Sequence, residues 1–164
     1  MKPEKLARAA KRAAHIIAHT PTKQKDKALL ILGQLIGEKK AYLFLENKKD
    51  VDAAQRAGLA KSLIDRLRID DKVITEMQAS IRDVINLADP VGEIVKIWRR
   101  PNGLQVGRMR IPIGVIFVIY ESRPNVTIEA FSLCLKSGNC VILKGGSEAS
   151  HSNKALFNLI MEAL

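Results

Sequence analysis

Residues 111–152 read IPIGVIFVIYESRPNVTIEAFSLCLKSGNCVILKGGSEASHS. The stretch has the order strand, loop, helix, strand, glycine turn, helix. Residues 113–119 are apolar apart from Gly114 and rich in Val and Ile. Such a run fits a strand covered on both faces, as in a parallel sheet. Residues 120–125 form a polar loop in which Pro124 holds Arg123 extended, so a helix can begin only after it. In residues 126–136, Ile128, Phe131, Leu133 and Leu135 recur at helical spacing. Gly138-Asn139 is a stop signal for that helix. Residues 140–143 are a second short apolar run, followed by Lys144-Gly145-Gly146-Ser147 and a further helical segment. A strand, a crossover helix and a second strand make a right-handed parallel unit. Ligands of such sheets bind beyond the carboxyl ends of the strands. Those ends are the polar segments 120–125 and 144–148.

Outward from this unit, 164 residues suffice for one domain with a real core. No apolar run reaches the length of a membrane helix. The basic, amphipathic start lacks the apolar centre and cleavage site of a secretory leader. Cys134 and Cys140 lie on different elements and form no metal-type cluster, which fits a reduced, cytoplasmic protein. The net charge is +10. Residues 111–164 carry four basic and four acidic groups, so the whole excess lies in residues 1–110. Bases alternate there with acids, and no aromatic residues are interleaved. A solvated helical face explains this better than a nucleic-acid surface, and the field would favour an anionic substrate.

Residues 4–19 read as an amphipathic helix with Leu6, Ala10, Ala13, Ile16 and Ile17 on one side. His15 and His19 share a helical face, but no third metal ligand accompanies them. Thr20-Pro21 breaks this helix and opens the next, which runs through Leu29, Leu30, Leu32, Leu35 and Ile36. Residues 40–58 hold one or two more helices, closed by Gly58. A short segment, 61–67, leads to Asp70-Asp71, acidic residues suited to the first turn of a helix over 72–86. Asp89-Pro90-Val91-Gly92 ends the helical half. Asn102-Gly103 between 93–98 and 104–111 is a hairpin signal. Trp98 is expected to pack on that hairpin, whose edge suits a subunit contact.

Three groups of residues now stand together: Asp89-Pro90-Val91-Gly92, Tyr120-Glu121-Ser122-Arg123-Pro124-Asn125, and the run from Ser132 that ends in Lys144-Gly145-Gly146-Ser147-Glu148. They resemble the gamma-glutamyl phosphate reductase (glutamate-5-semialdehyde dehydrogenase) family of the aldehyde dehydrogenase superfamily. The resemblance extends along essentially the whole chain, including Asp65-Arg66-Leu67. It implies an α/β fold: a helical region at 1–92, an edge or oligomerisation hairpin at 93–111, and at 112–164 the opening, incomplete part of a Rossmann-like NADP-binding domain. It further implies NADPH-dependent reduction of L-glutamyl 5-phosphate to L-glutamate 5-semialdehyde, with release of phosphate, in proline biosynthesis. A homo-oligomer, association with glutamate 5-kinase, and no membrane or nucleic-acid partner belong to the same expectation. The family's chemistry uses a cysteine thiolate that gives a thioester, which hydride then reduces. Neither Cys134 nor Cys140 matches that cysteine, which is expected downstream of Leu164, so the chain alone is expected to be inactive. The alternatives are another aldehyde dehydrogenase-type acyl reductase, or an inactive fragment acting as an interaction module.

The resemblance also implies roles for single residues. Lys144 would contact the cofactor's ribose hydroxyls or 2′-phosphate. Gly145 and Gly146 would let backbone approach a ligand. Ser147 would cap the following helix, whose amides attract anions. In NAD-using relatives an acidic residue often stands three after this lysine, and Ser147 in that place favours NADP. Read from the residues alone, this is an ordinary strand–turn–helix with a surface lysine, since no GxGxxG is present. Asn125 would donate its amide to an oxyanion; a helix cap is the alternative. Arg123 would pair with substrate carboxylate or phosphate, or else brace the loop through Glu121.

Overall fold

The helical periodicity of the first half is realised as five helices in a computed structural model that describes residues 3–164. They are α1 (Pro3–Ala18), α2 (Thr22–Glu38), α3 (Lys40–Arg56), α4 (Lys61–Leu67) and α5 (Asp71–Asn86). Pro21 stands at the cap of α2. One helix, not two, fills 40–56, and Gly58 closes it at a φ of 71°. The Asp70 carboxylate accepts the Val73 amide at 2.9 Å and so caps α5. The buried face of α1 differs from the expected one. Ala10 and Ala14 are buried, whereas Ile16 is 72% exposed. A stripe of small residues lets α1 lie close against the strands that follow, and this contact sets the helix's rotation.

The hairpin pairs β1 (Ile94–Arg99) with β2 (Gln105–Met109), and Trp98 faces Val106. Asn102-Gly103 does not make a two-residue turn. Pro101 requires a negative φ, so Arg100 to Gly103 form one turn, with the Gly103 amide bonded to the Arg100 carbonyl at 2.9 Å. Gly103 then takes a φ of 87° and leads into β2. The half-buried Trp98 ring has the Lys96 ammonium 5.9 Å from its centre.

The decisive stretch folds as β3 (Val115–Ile119), α6 (Asn125–Lys136), β4 (Cys140–Lys144), a 3-10 turn (Ser147–Ala149) and α7 (Ser150–Ala163). β3 and β4 are parallel, with Val115 opposite Cys140 and Ile119 opposite Lys144. β3 starts at 115 because Gly114 has a φ of 116°, which ends the extended run from 113. Gly138 closes α6 at a φ of 71°, and a Cβ there would lie 2.9 Å from Pro112. The expectation of cover on both faces is corrected for β3: Phe117 is 59% and Ile119 71% exposed. α1 and α6 pack against this small sheet, and no second layer of the described residues reaches Phe117.

The main core joins Leu29, Leu32, Ile36, Met77 and Ile81 to Ile128, Phe131, Leu156 and Leu159. Two lysines are buried beside it. Lys25 is 2% exposed, donates to the Lys136 carbonyl at 2.9 Å, and forms an ion pair with Asp89. Asp89 also accepts from the Thr22 hydroxyl at 2.7 Å and the Val91 amide at 3.0 Å. Lys136 is 3% exposed and donates to Asp26 at 2.6 Å and to the Ile85 carbonyl at 2.8 Å. Asp89 therefore does more than end the helical half: it neutralises a buried cation.

Removing one partner of a buried ion pair strands the other charge. Lys25→Met is expected to cost about 3–5 kcal/mol in urea unfolding at neutral pH. Burial raises the Asp89 carboxyl, but Lys25, Thr22 and Val91 outweigh it and hold it below the usual range. Its contribution is present above the ordinary carboxylate value, about pH 4, and is lost as pH falls below it. That acid-side slope should be smaller in Lys25→Met, where only Thr22 and Val91 still favour the Asp89 carboxylate, as unfolding at pH 3 and pH 7 would show.

Candidate functional site

Because β3 and β4 are parallel and in register, their carboxyl ends emerge side by side. The Tyr120 amide bonds to the Lys144 carbonyl at 3.1 Å, extending the ladder into the loop. Segments 120–125 and 144–148 therefore share one edge. Lys144 is exposed, approaches the Gly145 carbonyl at 3.5 Å, and makes no ion pair among the described residues.

The two glycines meet the protein's own side chains. A Cβ on Gly145 would lie 2.3 Å from Asn153 Nδ2 and 3.0 Å from the Tyr120 ring. Tyr120 cannot yield freely, because its hydroxyl is 2.7 Å from Thr127 Oγ1, which donates to Asn153 Oδ1 at 3.0 Å. A Cβ on Gly146 would lie 2.3 Å from Ser122 Oγ and 2.7 Å from Glu148 Oε2. The Ser122 hydroxyl donates to that Glu148 oxygen at 2.8 Å. Glu148's own amide, then the Ser122 hydroxyl, holds its carboxyl below the usual range.

The expected capping role of Ser147 is corrected. Gly146 stands at the cap, Ser147 opens the 3-10 turn, and α7 begins only at Ser150. The start of α7 is satisfied from another helix. Buried Asp50 of α3 accepts the His151 amide at 3.1 Å, the Ser152 amide at 2.7 Å and the Ser152 hydroxyl at 2.6 Å. A fixed carboxylate thus occupies the place where a bound anion was expected to meet free amides.

Asn125 is the first residue of α6, with Pro124 at the cap, and its amide donates to Glu129 at 3.1 Å. The helix-cap alternative for Asn125 fails, because the helix starts one residue too early. Arg123 Nε pairs with Glu121 at 2.8 Å, and Arg66 Nη1 of α4 reaches the other Glu121 oxygen at 3.1 Å. Glu121 thus bridges two guanidinium groups, and the bracing alternative describes what Arg123 does here. Arg66 joins this group without any local signal in the sequence. It stands on a short helix 55 positions away from Glu121, and no periodicity points to the pairing.

Cys134 is buried and Cys140 half-buried, and burial pushes both thiols up. A nucleophilic thiol needs the opposite shift. His19 Nδ1 lies 2.8 Å from the His15 carbonyl, and no metal-binding group of His, Cys, Asp and Glu gathers among the described residues. No described helix is long and apolar enough to cross a membrane.

No protein-family model matches the chain. The crystal structure of a putative aldehyde dehydrogenase from Bacillus subtilis matches with a TM-score of 0.67 at 14% identity, over 94% of this chain and 32% of that one. The fold is thus that of the amino-terminal part of an aldehyde-dehydrogenase-type protein. The finer match lies within that class. A gamma-glutamyl phosphate reductase of Sulfurihydrogenibium sp. is 52% identical over 160 residues, 98% of this chain and 36% of its own length. The crystal structure of gamma-glutamyl phosphate reductase from Thermotoga maritima matches with a TM-score of 0.93 at 44% identity, over 96% of this chain and 38% of that one. Along essentially its whole length, then, the chain matches the amino-terminal part of the gamma-glutamyl phosphate reductases, and it spans little more than a third of their length.

Gly145→Ala must displace either Asn153 or the hydrogen-bonded Tyr120. A loss of about 1–3 kcal/mol is expected, the usual cost of overpacking. Thermal unfolding of the variant checks it; an unchanged midpoint would mean that the turn yields freely.

Proposed function

We propose that this chain is the amino-terminal part of an NADPH-dependent reductase that converts L-glutamyl 5-phosphate into L-glutamate 5-semialdehyde and phosphate, a step of proline biosynthesis. The observation that carries the reading is the match to gamma-glutamyl phosphate reductases along essentially the whole chain. The paired strand ends support it, since they put two polar loops where a parallel sheet receives its ligand.

NADPH, when bound, supplies the hydride. Lys144 fits its adenosine end: an exposed ammonium at the tip of β4 with no ion pair of its own, able to meet ribose hydroxyls or a 2′-phosphate. Gly145 and Gly146 let the turn pack closely on Tyr120 and Ser122, and the exposed Ser147 is left to face the ligand. The Glu148 carboxylate is engaged by Ser122, which keeps one of its oxygens from a ribose diol. Arg123 spends Nε on Glu121 and has its terminal amino groups for an anion of the substrate. Asn125 would serve an oxyanion by releasing Glu129. Burial pushes the Cys134 and Cys140 thiols up, which favours an attacking thiolate other than either of them.

On the same reading, residues 1–92, 93–111 and 112–164 act as helical region, oligomerisation hairpin and start of the cofactor domain. The hairpin exposes Ile94, Ile97, Leu104 and Met109, an apolar surface that suits a second subunit. The enzyme would work in the cytoplasm beside glutamate 5-kinase, the source of its acyl phosphate.

Lys144→Ala tests the assignment. The fold should stand, because the side chain is exposed. NADPH affinity by calorimetry should fall about tenfold or more, the scale of a charged hydrogen bond. Equal affinity in the variant would overturn the role of Lys144.

A further inference from the structure

A cavity of about 400 Å³ lies along α3 and the α4–α5 link, but a smaller one touches the strand ends. This second cavity, about 250 Å³, lies between α4, the loop after β3 and the glycine turn. Leu59 and Leu63 form its apolar wall, and Arg66, Glu121, Ser122 and Glu148 supply its polar groups. Its volume lies just below the usual range for ligand pockets, about 300–1,000 Å³, which suits a small metabolite.

The charges choose the ligand. The lining holds one guanidinium and two carboxylates. An acyl phosphate end, carrying only negative charge, meets two like charges here and is disfavoured. A zwitterionic α-amino acid end presents an ammonium to the carboxylates and a carboxylate to Arg66, while its methylenes lie on leucine. The Arg66–Glu121 pair is about half exposed on each side, and such pairs are weak enough to exchange partners with a ligand.

We propose that this cavity is the subsite for the α-amino and α-carboxylate groups of the substrate, with Glu121 and Glu148 facing the ammonium and Arg66 the carboxylate. This rests on the reductase reading above and assigns that substrate's distal end. A helix of the amino-terminal half thereby selects amino acid substrates for chemistry performed on the sheet.

The test is an NMR titration of the full 164-residue chain, with L-glutamate and glutarate as probes. Glutarate keeps both carboxylates and lacks the ammonium. L-Glutamate is expected to shift the amides of Leu63, Arg66 and Ser122, and to bind about fivefold more tightly than glutarate, the scale of a half-exposed ion pair. Glu121→Gln should abolish that preference. A mere brace predicts that Glu121→Gln lowers the melting temperature and leaves the ratio of the two affinities unchanged, which would overturn the proposal. So would equal affinity for the two probes, or shifts elsewhere only. A parallel NADPH titration separates the readings. If NADPH binds and the probes are not discriminated, the subsite alone fails. If NADPH does not bind, the cofactor role of the Lys144 turn fails, and the subsite stands or falls on the two probes.

Discussion

The structure depends on how two buried lysine ammonium groups are neutralised. Lys25 and Lys136 sit where α2, the end of α5 and the end of α6 converge. An ammonium away from water costs several kcal/mol unless it is paired and fully hydrogen-bonded. Each lysine meets that demand from a different element. Lys25 takes Asp89 and the last carbonyl of α6, an acceptor at the negative end of that helix. Lys136 takes Asp26 and the Ile85 carbonyl. Moving α6 relative to the helical half would unpair both. Since α6 connects β3 to β4, the same contacts fix where the strand ends lie.

A second buried polar set works from the other side. Asn47 accepts the Ile69 amide at 2.8 Å and donates to the Leu67 carbonyl at 2.8 Å, tying α3 to the link before α5. Asp50, one turn further along α3, caps α7. The helical half therefore holds both helices that flank β4. Its shortest helix, α4, then reaches the loop after β3 through Arg66 and Glu121. The polar edge of the sheet is thus shaped by residues far from it in sequence.

The β3–α6–β4 unit was legible because each element carries a local signal: an apolar run, a 3.6-residue repeat, Gly138 at the stop. The family resemblance was legible through the words Tyr120 to Asn125 and Lys144 to Glu148. What the sequence does not show depends on partners distant in the chain. Lys25 and Lys136 look like surface lysines until Asp89, Asp26 and Ile85 are placed beside them. Ser147 looked like a helix cap because the true cap, Asp50, lies about a hundred positions earlier. Ile16 fits the apolar face by spacing but not by contact, since the alanines of α1 decide its rotation. The open face of β3 could not be foreseen from an apolar run that reads the same with one layer or two.

Amide hydrogen exchange with and without NADPH tests the central claim most directly, that the paired strand ends form one cofactor-holding edge. The account predicts slower exchange at 120–125 and 144–148 when NADPH is present, with the hairpin at 94–109 unchanged. Unaltered exchange at both segments, or protection confined to the helical half, would contradict it.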